Sequence, residues 1–181
     1  MRRFLVSIAL LLIVGSCATP PKPAPVTPRP VPTYVPAPVP TPSPTATPLA
    51  SDWRDWPVTP GDWVYRQDAR GSIAFYGTVG TDALLTLRCD KAAAQVYLSK
   101  RDSSGTAAAM TVRTSTALRT LATQPTGGTQ PYVAAALSPR DSLLDAIAFS
   151  RGRFIVEQPG QPPLVVPSWA EFGRVVEDCR G

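Results

Sequence analysis

Thirteen of the chain's 22 prolines fall between Pro20 and Pro48. Proline at that density excludes helix and sheet alike, because it fixes φ and removes the amide donor that both require. The tract is therefore expected as polyproline II or loosely extended backbone. At about 3.1 Å per residue, its roughly 30 residues reach on the order of 90 Å. It reads as a semi-rigid spacer in which Tyr34 is the only aromatic residue. A docking segment for a proline-recognising partner is the lesser alternative. Beyond it lie residues 51–181, and 131 residues is a usual size for one domain with its own core.

Before the tract, Arg2 and Arg3 lead into an apolar run over residues 4–14, followed by Gly15-Ser16-Cys17. A basic start, an apolar run of about 11 residues and a small-residue exit make a secretory signal peptide, and the run is too short to span a bilayer. Val14-Gly15-Ser16-Cys17 also resembles the lipobox of bacterial lipoproteins: an aliphatic residue, two small residues, then cysteine. The resemblance implies a signal peptide over 1–16, acylation of Cys17 and a lipidated spacer over 17–50. The membrane is then a partner through the lipid anchor. Ala18, rather than aspartate, after the cysteine implies export to the outer membrane, with the folded domain facing the periplasm.

The formal net charge of +5 misleads. Arg2, Arg3, Lys22 and Arg29 precede the folded part, which keeps 14 basic residues against 13 acidic ones. A nucleic-acid binder concentrates basic residues on its folded face. No such excess exists here, and nucleic acid is discarded as a partner.

From Trp63 onward, short strand-like runs alternate with turn signals. Residues 63–66, 73–76, 84–89, 95–98, 110–114 and 132–137 carry the strand formers, and Gly- or Asp-bearing turns separate them. Two helices are expected. The first starts with Ser138 as N-cap, Pro139 at the first helical position and Asp141 in capping-box place, and Gly152 marks its end. Residues 154–156 and 164–166 read as a hairpin around Pro159-Gly160. Ser168 to Glu171 reads as a second capping box, with Trp169, Phe172, Val175, Val176 and Cys179 following at helical spacing. The expected fold class is mainly β with two helices (α+β): an antiparallel β-sandwich or barrel closed by a C-terminal helix.

With Cys17 taken by lipid, Cys89 and Cys179 remain as an even pair in an oxidising compartment. Leu85, Leu87 and Cys89 point to one side of their strand, and Cys179 shares the apolar face of the last helix. Both sulfurs are expected to face the core, where a disulfide would pin the closing helix to a central strand. A pair of buried free thiols is the alternative.

Chemistry is harder to find. The chain contains no histidine, which removes every nucleophile–histidine pair and histidine metal site. No GxSxG, P-loop, GxGxxG, HExxH or calcium loop occurs. Asp52, Asp55, Asp62 and Asp68 fall in the entry segment or in turns, and Asp141 and Glu171 read as caps. No grouped metal ligands occur, and neither a cofactor nor a catalytic residue is expected. Two surfaces remain as candidates. Trp53, Trp56 and Trp63 suit an aromatic platform for sugar rings or a partner, against a plainer reading in which they cover the domain's apolar edge. Arg113 and Arg119, set among hydroxyls, suit forked hydrogen bonds to an anion, against a solvated strand face.

As a whole, the chain resembles the small envelope lipoproteins of Gram-negative bacteria, with lipobox, proline spacer and one disulfide-bearing β-rich domain. The folded part is loosely similar to the invasion-associated locus B proteins and the small β-barrel lysozyme inhibitors. It shares no motif with either residue by residue, and no functional position is carried over. The expected function is a non-enzymatic interaction or envelope-structural role, with an envelope protein or cell-wall glycan as partner. The alternative is a module binding glycan or another small ligand through the N-terminal tryptophans.

Overall fold

The computed structural model describes Lys22 and residues 51–181. The expected signal peptide, Cys17 and the remainder of the proline tract lie outside the described residues. Four strands, β1 (Asp62–Asp68), β2 (Gly71–Gly77), β3 (Leu85–Asp90) and β4 (Gln95–Arg101), form an antiparallel meander. The chain then leaves for β5 (Met110–Arg113) and β6 (Leu118–Leu121). It comes back through β7 (Gln124–Pro125) and β8 (Tyr132–Leu137), and β8 pairs with β4. Helix α1 (Ser142–Ala148), the hairpin β9 (Arg153–Glu157) and β10 (Leu164–Pro167), and helix α2 (Ala170–Arg180) complete the domain.

The result is a six-stranded sheet in the order β1-β2-β3-β4-β8-β7 and a four-stranded sheet in the order β10-β9-β5-β6. Mainly antiparallel β with two helices, the second C-terminal, is what the strand and helix patterns predict. The barrel alternative is not realised. Because the chain departs after β4 to begin the second sheet, β1 and β7 are left as opposite edges that do not meet.

Period-two alternation builds the shared core. From β3, Leu85, Leu87 and Cys89 point inward and all are 0% exposed. Leu98 of β4 lies opposite Leu87, and Ala74 of β2 flanks it on the other side. The second sheet contributes Met110, Val112, Phe154 and Val156 to the same cluster. Helix α2 joins the two sheets: the Phe172 ring lies 6.0 Å from Trp63 of β1 and 5.7 Å from Phe154 of β9. At its far end Cys179 is disulfide-bonded to Cys89, with Cα atoms 5.4 Å apart. The expected pairing, with Cys89 on the inward face of its strand, is what the fold contains.

The helix starts differ from expectation. Helix α1 begins at Ser142, and its N-cap is Asp141, whose carboxylate accepts from the Leu143 amide at 2.8 Å. Ser138 to Asp141 form a turn instead, closed by the Asp141 amide donating to the Ser138 carbonyl at 2.9 Å. Asp141 wins the cap because it also receives a guanidinium from β6, which fixes its side chain. In α2 the N-cap is Trp169, without a side-chain bond, and the Ser168 hydroxyl is buried without a partner. The second capping box is therefore absent.

The segment before β1 is fastened to the second sheet. The Thr59 amide donates to the Val165 carbonyl at 2.9 Å, and the Val165 amide donates to the Thr59 hydroxyl at 3.0 Å. Arg153 donates to the Trp56 carbonyl, and the Trp63 indole donates to the Pro167 carbonyl at 2.9 Å. These bonds cover the exposed edge of β10, a liability in any open sheet.

Candidate functional site

The six-stranded sheet has a second face, turned away from the core, and pairing register arranges its side chains in rows. One row reads Arg66, Ile73, Arg88, Tyr97 and Ala136 across five strands. The next reads Val64, Phe75, Thr86, Ser99, Ala134 and Gln124 across all six. Sheet twist and the overhanging segments at its margins bend this face into an open trough of about 1090 Å³. Its floor is deep: Ile73 and Ser99 are each only 8% exposed.

The walls come from loops. Residues 78–83, between β2 and β3, stand at one end, where the Tyr132 hydroxyl reaches across to the Ala83 carbonyl at 2.5 Å. Burial pushes that phenol's pKa up, and the Asp82 carboxylate adds to the shift. Ala122, Pro125, Thr126 and Gln130 form the side nearest β7. The β1 side is low, since nothing follows that edge strand in the sheet.

The opposite end is basic but mostly neutralised. Arg88 forks onto Asp68 at 3.1 and 2.7 Å, and its guanidinium holds Asp68 at about 2, well below the usual carboxylate range. Arg70 grips Asp90 through two nitrogens at 3.1 and 2.5 Å, which lowers the carboxyl and raises the guanidinium. Arg66 has no carboxylate among the described residues and lies over the Phe75 ring, 5.6 Å from its centroid. The trough thus offers aromatic and aliphatic surface, neutral hydroxyls and amides, and charges that are largely spent on one another.

The residues singled out from sequence lie elsewhere and apart. Trp63 is a core residue, 6% exposed and 5.2 Å from Tyr76 by ring centroids. Trp53 and Trp56 lie partly exposed in the entry segment, where the Arg54 guanidinium stacks on Trp53 at 4.8 Å. The three indoles do not make one platform. Arg113 and Arg119 point to opposite faces of their sheet, because Arg119 lies opposite the inward-facing Val112 while Arg113 lies opposite Leu118, which is 59% exposed. Arg113 meets Glu157 at 3.7 Å, and Arg119 is bound to Asp141.

The trough has a signal in the sequence that alternation alone passes over. Residues 72–76 of β2 read Ser-Ile-Ala-Phe-Tyr, apolar at outward positions where a solvent-facing sheet carries polar side chains. A strand apolar on both faces marks a sheet whose outer face has work to do.

A second polar group lies inside the fold. Lys100, on the inward side of β4, is 5% exposed, and its ammonium donates to the Gln161 side chain. Burial pushes its pKa down. Nearby, the Gln158 amide donates to Asp102, itself 1% exposed. These bonds tie the end of β4 to the β9–β10 loop. Among the described residues no group of acids and cysteines is placed to hold a metal ion, and no helix is long and apolar enough to cross a membrane. No protein-family model matches the chain, and no curated protein or solved structure matches it either.

Proposed function

We propose that this chain is a non-enzymatic, lipid-tethered binding module of the Gram-negative outer membrane, and that it binds through the trough on the six-stranded sheet. One observation carries the reading: the outer sheet face is concave and floored by Ile73, Phe75, Tyr97 and Ala134. A solvated sheet face ordinarily carries polar side chains at these positions. The lining favours a neutral, hydroxyl-bearing chain such as a cell-wall glycan strand. Phe75 and Tyr97 supply ring faces for sugar rings, while Thr86, Ser99 and Gln124 supply neutral hydrogen-bonding groups.

The test is calorimetric titration of soluble cell-wall glycan fragments into the full chain. Phe75→Ala and Tyr97→Ala are each expected to weaken binding by about tenfold, as truncated aromatic anchors do. A wild-type titration without heat or saturation overturns the glycan reading. Reproducible capture of one envelope protein, lost in the same two variants, would then transfer the trough to a protein partner. The tether rests on the lipobox resemblance and is tested separately: palmitate labelling is expected in the wild type and absent in Cys17→Ser.

A further inference from the structure

Strand β1 is an edge strand of seven residues paired only with β2. The two-residue turn at Ala69-Arg70 closes on the Asp68–Gly71 pair, so the backbone groups of the even-numbered positions face β2. Those of Trp63, Tyr65 and Gln67 therefore face the open edge. Among the described residues they have no partner there.

Two charges on this strand are also unspent. Asp62 makes no hydrogen bond or ion pair among the described residues, and Arg66 makes none with a carboxylate. They stand four residues apart and project to the same face. Between them is Val64, apolar and 40% exposed.

We propose that two copies of the chain join edge to edge through β1, antiparallel and two-fold symmetric about Val64. In this register Trp63 exchanges backbone hydrogen bonds with Tyr65 of the second copy, and both have outward-facing groups. Asp62 lies directly opposite Arg66 of the second copy, and the symmetry makes that pair twice. Val64 meets its own counterpart between them, in the close spacing of a non-hydrogen-bonded pair.

Neighbouring registers are worse. Centring on Tyr65 sets Asp62 against Asp68. Centring on Arg66 sets two guanidiniums face to face. Centring on Trp63 sets Asp62 against Val64 and Arg66 against Pro60, before the start of the strand, so neither charge gains a partner. Charges along an edge strand usually prevent pairing; among these registers they favour the one centred on Val64. The low β1 side of each trough then abuts its copy, joining two troughs across a continuous sheet.

Sedimentation velocity over a dilution series of the full chain tests this. The wild type is expected to show a concentration-dependent dimer. Asp62→Arg and Arg66→Asp are each expected to weaken it by about tenfold, since each sets like charges opposite. The double exchange Asp62→Arg with Arg66→Asp is expected to restore it. A wild type that stays monomeric at every concentration overturns the proposal, as does a double exchange no better than the singles. Val64→Cys gives a second readout that leaves the β2 pairing intact. Under oxidation its thiol is expected to link to its counterpart, identified by peptide mass mapping, and failure to form that link overturns the register.

Discussion

The Arg119 guanidinium forks onto the Asp141 carboxylate, at 2.8 and 2.6 Å, across 22 residues of sequence. The same carboxylate caps α1 through the Leu143 amide. One side chain thereby starts a helix and docks it on β6. Asp141→Ala removes both functions and leaves Arg119, only 38% exposed, without its partner. A lost cap costs about 1 kcal/mol and a stranded charge-assisted bond adds to it, so a loss of roughly 2–3 kcal/mol is expected. Arg119→Met keeps the cap and should lose about 1 kcal/mol or less. Urea unfolding of the two variants checks the order, and equal losses would show that the cap contributes nothing.

Cys89 and Cys179, 90 residues apart, make the closing helix part of the central sheet. For a loop of that length the chain-entropy model gives roughly 4.6 kcal/mol, and native disulfides of this kind are worth about 2–5 kcal/mol when removed. Paired Cys89→Ala and Cys179→Ser substitutions are therefore expected to lower unfolding free energy within that range. Native-state hydrogen exchange should show α2 amides losing protection first, since the helix end is then held only by packing and by the side-chain bonds of Asp178 to Tyr65 and of Arg180 to Asp145 and the Pro139 carbonyl. An unchanged unfolding midpoint in the variant would mean that these non-covalent contacts suffice to fix the helix.

Acid should destabilise the domain late. Asp68 is held at about 2, and Asp90, Asp141, Asp102 and Asp178 lie below their ordinary values as well. For Asp68, Asp90 and Asp141 the leading cause is an arginine side chain. For Asp102 and Asp178 burial pushes upward but hydrogen-bond donors outweigh it. A carboxylate depressed by folding contributes stability above its unfolded value and loses it as pH falls toward the folded one. The loss should begin near about pH 4 and continue toward about 2. Without histidine, no side chain of ordinary pKa titrates between about 5 and 8, so a flat plateau is expected there. Urea midpoints measured across pH check both statements, and a slope near pH 6 would contradict the second.

Much of this fold was legible because alternation and helical spacing record burial directly. Leu85, Leu87 and Cys89 declare one inward face, and Phe172, Val175 and Val176 declare another; both are buried, whereas Trp169, placed on the second face by the same spacing, is the N-cap and 46% exposed. The strand formers over 132–137 coincide with the bounds of β8, Tyr132–Leu137. Strand β6 has no such signal, since Leu118-Arg119-Thr120-Leu121 has too little apolar content to declare itself and forms by pairing with β5. Helix α1 starts later than its sequence suggests because Ser138-Pro139 fits a helix start as well as it fits a turn, and Arg119, distant in sequence, holds Asp141 as the cap. The trough escaped for a related reason. Concavity comes from sheet twist and overhanging loops, and no local pattern encodes either.

Two tryptophans ten residues apart should behave oppositely. Trp63 is 6% exposed, packs against Tyr76 and Phe172, and gives its indole hydrogen to the Pro167 carbonyl. Trp63→Ala leaves a cavity between β1 and α2 and strips that carbonyl of its donor, for an expected loss of about 3–5 kcal/mol. Trp53 lies in a single 3-10 turn with Arg54 stacked on it, and its removal should change stability by no more than about 0.5 kcal/mol. Guanidinium unfolding followed by circular dichroism separates the two. If Trp53→Ala proved as costly as Trp63→Ala, the entry segment would belong to the cooperative core, and aromatic burial would extend upstream of Thr59.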